Sequence, residues 1–150
     1  MDYRENYRKW LSSASLGEEG KRELESITDE KELEYRFGGE MEFGTAGMRG
    51  VIGYGINMMN IHTVMRATKG LAEWIKTLGA EAMERGVVVS YDTRRKSEEF
   101  AKATAGVLAK NGIKVWLFTD VHPVPMLSYA VRYLKTIAGV MITASHNPKE

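Results

Sequence analysis

The chain has 150 residues, enough to enclose a hydrophobic core as one domain of ordinary size. Its net charge is +1, with no block of like charges, so binding to nucleic acid by phosphate neutralisation is not expected. It has no cysteine, which excludes disulfides and thiol chemistry, and no apolar run approaches the roughly 20 residues of a membrane span. The charged N-terminal segment lacks the apolar stretch of a signal peptide, so we expect a cytoplasmic protein without membrane contact.

Residues 1–40 predict a helical lead-in to the domain rather than a separate domain. One helical face carries four large apolar side chains at the spacing i, i+4, i+7 and i+8: Tyr3, Tyr7, Trp10 and Leu11. Two further short helices are indicated by residue pairs with the spacing of a capping box: Ser15 with Glu18, and Asp29 with Glu32.

Residues 44–55 form a glycine-rich stretch that precedes a long helix. The apolar face of that helix consists of residues three or four positions apart: Val64, Ala67, Leu71, Trp74, Ile75 and Leu78. We expect Asn60 to cap the start of the helix and Gly86 to follow its end. Gly53 and Gly55 are not followed by a glycine at position 58, so the dinucleotide-binding GxGxxG pattern is incomplete and such a fold is disfavoured.

The rest of the chain alternates predicted strands with predicted helices. The β-branched run Val87–Tyr91 predicts a buried strand, and further strands are predicted at Ile113–Phe118 and Ile137–Ile142. One helix that opens at Ser97 and another over Met126–Leu134 lie between them. This rhythm is that of βαβ units with right-handed crossovers. It predicts an α/β fold: a three-layer, doubly wound, mainly parallel sheet with helices on both faces.

Ligands of open α/β sheets bind outside the carboxyl ends of the strands, so a site is expected in the segments that follow the strands. Three such segments are present: 91–95, 119–123 and 143–148. The third is the most unusual, because an apolar strand gives way at once to four polar side chains and Pro148, which fixes the turn. Backbone N–H groups of such a turn, together with Arg49 and Arg94, could hold an anion.

Composition alone favours a plainer interpretation of these segments. Serine, asparagine and proline are ordinary turn residues, His146 suits an exposed position, and segment 92–95 suits a solvated loop. Ser145 and His146 are neighbours, so in extended chain their side chains point to opposite faces and make a poor hydrolase pair. The sequence also contains no HExxH motif, no GxSxG elbow and no paired histidines at metal-binding spacing. The residues by themselves leave Ser145 with some other use or with none.

Three segments taken together resemble the α-D-phosphohexomutase family of phosphoglucomutases and phosphomannomutases. They are Phe43–Gly50 (FGTAGMRG), Tyr91–Ser97 (YDTRRKS) and Thr143–Pro148 (TASHNP). The third is similar to the family's phosphoserine signature, which is highly specific. The resemblance runs from about Tyr35 to the end of the chain, and the helical lead-in is similar to that of the bacterial phosphoglucomutase and phosphopentomutase-like branch. Met58 departs from it, since it stands where the resemblance leads us to expect an arginine.

The resemblance implies that the chain is the first domain of a phosphoglucomutase, an intramolecular phosphotransferase. Ser145 would carry a phosphoryl group, pass it to a sugar monophosphate and take one back from the bound bisphosphate, interconverting glucose 1-phosphate and glucose 6-phosphate. His146 would be a catalytic proton-transfer group. Five residues would contact phosphate or substrate: Thr45, Arg49, Arg94, Asn147 and Lys149. Mg²⁺ would be bound through the phosphate on Ser145, and glucose 1,6-bisphosphate would be both intermediate and activator.

The resemblance also implies a longer protein. Its members have four domains, and this sequence lacks their aspartate-rich metal loop, having only isolated aspartates: Asp2, Asp29, Asp92 and Asp120. We therefore expect residues 1–150 to be inactive alone, to lack a complete Mg²⁺ site and to expose apolar surface that favours self-association. The expected partners are a sugar phosphate and the later domains of the same chain.

Two other classes of function remain open at this stage. One is a non-catalytic, flavodoxin-like module that binds anions or sugar phosphates at its strand ends. The other is a structural or interaction domain whose surface faces partner domains. Within the family, mannose and pentose phosphates are alternative substrates, because the sugar-reading loops would lie in the later domains.

Overall fold

The computed structural model describes residues 2–45 and 47–144 of the chain. They form two compact units, one that ends at Thr63 and one that begins at Val64. None of the helices formed by these residues is long and apolar enough to cross a membrane.

The first unit consists of helices followed by a small hairpin. Its described residues form three α-helices before the hairpin and a 3-10 helix between the first two: α1 (Tyr3–Leu11), the 3-10 helix (Ala14–Leu16), α2 (Gly17–Glu25) and α3 (Glu30–Phe37). In the hairpin, β1 (Phe43–Gly44) pairs with β2 (Gly47–Met48) in antiparallel fashion. An isolated parallel bridge then joins Ile52 to Met59.

The apolar face predicted for α1 packs on the core of this unit. The core consists of four buried side chains: Leu16, Leu24, Leu33 and Phe37. The rings of Tyr7 and Trp10 meet the fully buried ring of Phe37 edge-on, with centroids 5.5 and 5.9 Å away. Such pairs add about 0.5–1.5 kcal/mol beyond the area they bury. Tyr3 and Leu11 pack on the same cluster, so the predicted face is confirmed.

One of the two predicted helix caps in this unit is confirmed and the other is wrong. Asp29 caps α3, because its carboxylate accepts a hydrogen bond from the N–H of Lys31 at 3.0 Å. Ser15 lies inside the 3-10 helix, and its hydroxyl is hydrogen-bonded to that of Ser13 at 2.8 Å. The 3-10 helix leads directly into α2 at Gly17, so the chain is already helical where Ser15 was expected to cap it.

The second unit is a parallel sheet flanked by helices. Within residues 64–144 the elements are the body of α4 (Ile61–Thr77), α5 (Ala80–Arg85), β3 (Val87–Tyr91), α6 (Ser97–Lys110), β4 (Val115–Leu117), α7 (Val124–Tyr133) and β5 (Ala138–Ile142). β3 lies between β4 and β5 and is parallel to both, with Val87 aligned with Val115 and with Ala138. All residues of β3 are buried, which is typical of a central strand covered on both faces.

The order of the strands makes this sheet doubly wound. The chain passes from β3 to β4 on one side and then back across β3 to β5 on the other. Because crossovers between parallel strands are right-handed, this reversal places α6 and α7 on opposite faces. On one face, Ala101 of α6 shares a core with Val87 and Val89. On the other, α7 lies so close to Gly139 that a Cβ atom added there would come within 2.6 Å of Val131. The predicted fold class is confirmed.

The single long helix predicted to run up to Gly86 is in fact two helices. α4 ends at Thr77 and α5 begins at Ala80, because Gly79 between them has a φ of 94°, which a right-handed helix cannot accommodate. Gly86 follows the end of α5 and is also left-handed, with a φ of 71°. A Cβ atom at Gly86 would overlap the carbonyl oxygen of Lys114, so both conformation and space require glycine there.

The apolar face predicted for α4 is confirmed in part, since Val64 and Ile75 are buried as predicted. Ala72 and Ile75 are fully buried and belong to the core of the second unit. Trp74 and Leu78, predicted to lie inward, are 51% and 47% exposed. The 3.6-residue period places both side chains outside the stripe whose centre lies between Ala72 and Ile75.

Candidate active site

The carboxyl ends of β3 and β5 meet at one edge of the sheet. Tyr91 is aligned with Ile142, and the N–H of Asp92 donates a hydrogen bond to the carbonyl oxygen of Ile142 at 3.2 Å. The connections to β4 and β5 leave in opposite directions, and open α/β sheets bind ligands at such a switch point. The segments that begin at Asp92 and Thr143 therefore leave the sheet side by side, as the sequence predicts for two of its candidate loops.

The carboxylate of Asp92 binds groups of the segment that follows β3. Its Oδ1 accepts hydrogen bonds from the N–H of Arg94 at 2.9 Å and from the hydroxyl of Ser97 at 2.8 Å. On the β5 side, the Thr143 hydroxyl and the Ala144 N–H lie close enough to lower the pKa of the carboxyl group as well. Burial raises the pKa of Asp92, but the hydrogen bonds outweigh this effect and the pKa lies below its usual range. Asp92 is therefore ionised at neutral pH.

An open cleft of about 420 Å³ lies at the same edge. Its lining comes from the segments after β3 and β4 and from the first turn of α6: Tyr91, Asp92, Thr93, Arg94, Lys96, Glu98, Glu99 and Val121. Lys96, directly before α6, has a φ of 62°, a conformation that costs a non-glycine residue on the order of 1 kcal/mol. Ser97 is the first residue of α6, as predicted, but its hydroxyl binds Asp92 and does not cap the helix. Arg94 and Lys96 supply the cations that an anionic ligand requires.

Thr45 and Arg49 belong to the hairpin of the first unit. Gly44 pairs with Gly47, so Thr45 lies in the turn, and Arg49 directly follows β2. Both residues are exposed, so a ligand can reach both side chains.

The backbone of Tyr54, within the glycine-rich stretch, is bound by two side chains of opposite charge. Glu23 Oε1 accepts a hydrogen bond from the Tyr54 N–H at 3.0 Å, and Arg36 Nη1 donates one to the Tyr54 carbonyl at 3.0 Å. The two side chains pair with each other at 2.7 Å, and Arg36 also pairs with Glu32 at 2.6 Å. Burial lowers the pKa of Arg36, but its hydrogen bonds to Glu23 and Glu32 outweigh this and raise it. We call Glu23, Arg36 and the Tyr54 backbone the Tyr54 clamp.

Asn60 holds the end of the same stretch. Its Oδ1 accepts hydrogen bonds from the N–H groups of His62 and Thr63, both at 3.0 Å, which confirms the predicted cap of α4. Its Nδ2 donates to three carbonyl groups in the stretch or just after it: Gly53, Gly55 and Met58. Met58 is only 3% exposed, so it is a core residue of this unit. Burial suits the methionine better than the arginine that the family resemblance leads us to expect.

The predicted site residues are divided among three parts of the chain. Arg94 lines the cleft of the second unit, whereas Thr45 and Arg49 belong to the first unit. The others lie outside the described residues: Ser145, His146, Asn147 and Lys149. Sequence reasoning missed Asp92, which it left in a solvated loop. The available signal was an aspartate directly after a buried strand, where its side chain can accept from the N–H two residues later.

No group of three histidine, aspartate or glutamate side chains among residues 2–45 and 47–144 is placed to hold a metal ion. The aspartates each accept a hydrogen bond from a backbone N–H one or two residues later: Asp2, Asp29, Asp92 and Asp120. Mg²⁺ requires near-octahedral coordination by oxygen atoms. The described residues do not by themselves fit a complete Mg²⁺ site.

The sheet and its switch point define a doubly wound α/β protein with a candidate anion site at the carboxyl ends of β3 and β5. Residues 40–150 match the family model for phosphoglucomutase/phosphomannomutase, alpha/beta/alpha domain I. The chain belongs to the phosphoglucomutase/phosphomannomutase family, and the resemblance seen in its three motifs is confirmed.

Several relatives carry the names of different phosphate-handling enzymes. The phosphopentomutase of Mus musculus is 40% identical over 150 residues, which cover 95% of this chain and 24% of that protein. The glucose 1,6-bisphosphate synthase of Mus musculus is 44% identical over 126 residues, 80% of this chain and 20% of that protein. The phosphoglucomutase of Staphylococcus epidermidis is 47% identical over 110 residues, 73% of this chain and 20% of that protein.

A solved structure agrees with this assignment. A crystal structure of a Thermus thermophilus protein, described as a phosphomannomutase, is 40% identical and superposes with a TM-score of 0.64. The match covers 73% of this chain and 24% of that one. The chain thus spans about a quarter or less of the length of the proteins it matches.

Proposed function

We propose that this chain is the catalytic-serine domain of a phosphoglucomutase that interconverts glucose 1-phosphate and glucose 6-phosphate. One observation supports this most directly: the segments after β3 and β5 leave the switch point side by side, where the N–H of Asp92 donates to the carbonyl oxygen of Ile142. Ser145 follows Ala144 in the second of these segments, within the TASHNP motif. The two names in the family, phosphoglucomutase and phosphomannomutase, both describe phosphoryl shifts on a hexose.

In the proposed reaction, Ser145 is phosphorylated in the resting enzyme. A hydroxyl group of the sugar monophosphate attacks the phosphorus, the bond from phosphorus to Ser145 Oγ breaks, and the hydroxyl proton is lost. The resulting bisphosphate reorients, and its other phosphoryl group returns to Ser145 Oγ. His146 moves the proton between the sugar hydroxyl and Ser145 Oγ. Phosphoryl transfer needs little more than in-line positioning and stabilisation of charge on the equatorial oxygens.

The cations of the chain would stabilise that charge. A phosphoserine carries about −1.5 to −2 charges at pH 7. Arg49 and Arg94 have planar guanidinium groups that can bind two phosphate oxygens at once, which a lysine cannot do. Thr45, Asn147 and Lys149 would contribute further hydrogen bonds to phosphate or sugar. These roles follow the family motifs position by position.

Mg²⁺ would neutralise part of the phosphate charge when bound. Within this chain its ligand would be a phosphate oxygen on Ser145, and its remaining oxygen ligands would come from outside the described residues. Glucose 1,6-bisphosphate would be the bound intermediate, and free bisphosphate would activate the enzyme by phosphorylating Ser145. The similarity to glucose 1,6-bisphosphate synthases supports the choice of bisphosphate.

A second candidate keeps the same chemistry with a pentose phosphate as substrate. It is favoured by the phosphopentomutases, which match over 95% of this chain, whereas the Staphylococcus epidermidis phosphoglucomutase matches over 73%. A match over 95% of the chain includes most of the helices before residue 40, where the match to the family model begins. Parallel assays of the full-length protein with glucose 1-phosphate and ribose 1-phosphate would separate the two substrates.

The decisive experiment is an intact-mass measurement of the full-length protein after incubation with glucose 1,6-bisphosphate. We expect a gain of one phosphoryl group, located by peptide mapping on Ser145. The Ser145→Ala variant should show no gain. A wild-type protein that binds the bisphosphate without gaining mass would favour the flavodoxin-like binding module.

A further inference from the structure

We propose that a cleft at the end of α1 is a binding site for a neutral sugar ring. Its volume is about 280 Å³, and we call it the α1 cleft; six residues line it: Lys9, Trp10, Ser13, Ser15, Leu16 and His62. This volume is at the low end for ligand sites, so the cleft suits one small ring. All of its lining belongs to the first unit, so the inference goes beyond the proposed phosphoryl transfer and does not depend on it.

Several polar groups of the α1 cleft have hydrogen-bonding capacity left for a ligand. Ser13 and Ser15 share one hydrogen bond at 2.8 Å, which uses one of their two hydroxyl hydrogens and leaves the other for a ligand. In the part of the chain that the structure describes, the indole N–H of Trp10 and the ring nitrogens of His62 have no hydrogen-bond partner. The one fully buried side-chain N or O atom without a partner in that part is Ser90 Oγ, so these ring nitrogens reach solvent.

The electrostatics of the α1 cleft favour a neutral ligand over an ion. Burial lowers the pKa of His62, so its imidazole is uncharged at pH 7 and offers one donor and one acceptor. The ammonium group of Lys9 pairs with Glu5, one turn earlier in α1, at 2.7 Å. Lys9 and Trp10 belong to the last turn of α1, where the negative end of the helix dipole disfavours an anion. The lining therefore offers no uncompensated charge to a charged ligand.

A sugar ring matches this combination of groups. Each of its hydroxyls both donates and accepts hydrogen bonds, as the serine hydroxyls do. Its C–H faces can pack on apolar side chains, which Trp10 and Leu16 supply. A purely aliphatic ligand would leave the polar groups of the lining without partners. The α1 cleft therefore selects an uncharged ring that carries several hydroxyl groups. Because the cleft is open to solvent, we expect a dissociation constant on the order of 1 mM or above.

The test is fluorine NMR of the full-length protein labelled with 5-fluorotryptophan, with methyl α-D-glucopyranoside as the probe. The probe has the neutral ring and no phosphate group. Trp10→Phe identifies the resonance of Trp10, and the resonances of Trp74 and Trp116, assigned in the same way, report on the second unit. We expect the probe to shift the Trp10 resonance in a saturable manner and to leave those of Trp74 and Trp116 unchanged.

Three serine variants show whether the lining makes the contacts. Ser13→Ala and Ser15→Ala each remove a hydroxyl group of the α1 cleft, and we expect each to raise the dissociation constant by roughly 3- to 10-fold. Ser12→Ala is the matched control, because Ser12 lies outside the lining and its hydroxyl donates to the carbonyl oxygen of Lys9 at 3.0 Å. It should leave the dissociation constant unchanged. Should one of the two lining variants fail to fold, the other decides the question.

A Trp10 resonance that does not shift, or that shifts without saturation, would overturn the inference. Equal dissociation constants in the wild type and in the lining variants would also overturn it. Titration with sodium phosphate tests the charge argument: a saturable shift of Trp10 with phosphate and none with the glucoside would make the α1 cleft an anion site. Phosphorylation of Ser145 is measured separately by mass, so a failure here leaves the proposed function intact.

Discussion

The glycine-rich stretch of the first unit and the β3–β5 edge of the second are both marked for phosphate binding by sequence motifs, yet they are held in opposite ways. Long side chains from other segments hold the glycine-rich stretch, through the Tyr54 clamp and Asn60. At the β3–β5 edge, backbone hydrogen bonds to β5 hold Val87–Tyr91, and the Asp92 carboxylate binds the N–H of Arg94 in the segment that follows.

This difference indicates in which of the two regions a substitution can change function without changing stability. A ladder of backbone hydrogen bonds does not depend on any one side chain, so side chains at its end can change without unfolding the sheet. A stretch held by charged side chains loses its anchorage when one of them is replaced. We therefore expect substitutions at the edge to affect chemistry alone, and substitutions in the clamp to affect stability as well.

The largest effect is expected for Ser145, which follows β5 in the sequence. We expect Ser145→Ala in the full-length protein to lower mutase turnover by roughly 10³-fold or more, because the phosphoryl carrier is removed. The melting temperature should stay within about 2 °C of the wild type, since the substitution removes one hydroxyl oxygen and adds no volume. Steady-state kinetics and thermal unfolding are the measurements. Near-normal turnover would refute the assignment of Ser145.

The second effect concerns Arg49, on the hairpin of the first unit. We expect Arg49→Lys to lower kcat/KM by roughly 10- to 100-fold, because an ammonium group cannot bind two phosphate oxygens at once. The exposed position of Arg49 predicts little change in melting temperature. Unchanged kinetics together with a lower melting temperature would instead make Arg49 a structural residue.

The third effect tests the clamp with a matched pair of glutamates. Glu23 and Glu32 both pair with Arg36, and their side chains are 36% and 43% exposed, but only Glu23 also binds the Tyr54 backbone. We expect Glu23→Ala, which removes the acceptor of the Tyr54 N–H, to lower the free energy of unfolding by about 1–2 kcal/mol, and Glu32→Ala by less than about 1 kcal/mol. Denaturant unfolding measures both. Equal losses would show that binding of Tyr54 by Glu23 adds nothing to the ion pairs.

The smallest effect is a pH dependence confined to the first unit. Burial lowers the pKa of His62, whose ring meets that of Trp10 edge-on at 5.4 Å. As the pH falls below about 6.5, the unfolded chain binds a proton before the folded one does, so the stability that neutral His62 contributes is progressively lost. We expect hydrogen exchange in α1–α3 to become faster at pH 5 than at pH 7, after correction for intrinsic rates.

Two variants serve as controls for that pH dependence. His62→Gln should remove it, because glutamine does not titrate. His122→Gln should leave it unchanged, because His122 belongs to the second unit. If His122→Gln removed the pH dependence, the titrating group would lie in the second unit and the assignment to His62 would be wrong.

The parts of the fold that could be predicted are those that local sequence patterns determine. The β-branched run at Val87–Tyr91 and the apolar face of α1 are both observed, because burial imposes the periods of strand and helix on the sequence. The break at Gly79 escaped prediction because the apolar spacing continues on both sides of it. A single glycine within a helix-like pattern is ambiguous, since helices tolerate one at a cost of about 1 kcal/mol.

The contacts that build the candidate site could not be predicted, because they join residues far apart in the sequence. Glu23 reaches Tyr54 across 31 positions, and Arg36 reaches it across 18. The ends of β3 and β5 lie side by side only after the chain has passed through β4 and returned. A charged side chain that binds a distant backbone has the same local appearance as one in a solvated loop.

The distance between α7 and β5 depends on the absence of a Cβ atom at Gly139. Because Gly139 has no Cβ, α7 approaches β5 until the methyl groups of Val131 and Leu127 occupy the space that a side chain would fill. An alanine there would act as a spacer and lift the helix from the sheet. A displacement of α7 would also move the loop between β4 and α7, which supplies Val121 to the cleft. We therefore expect a substitution at Gly139 to act on the cleft through α7, from the opposite end of that helix.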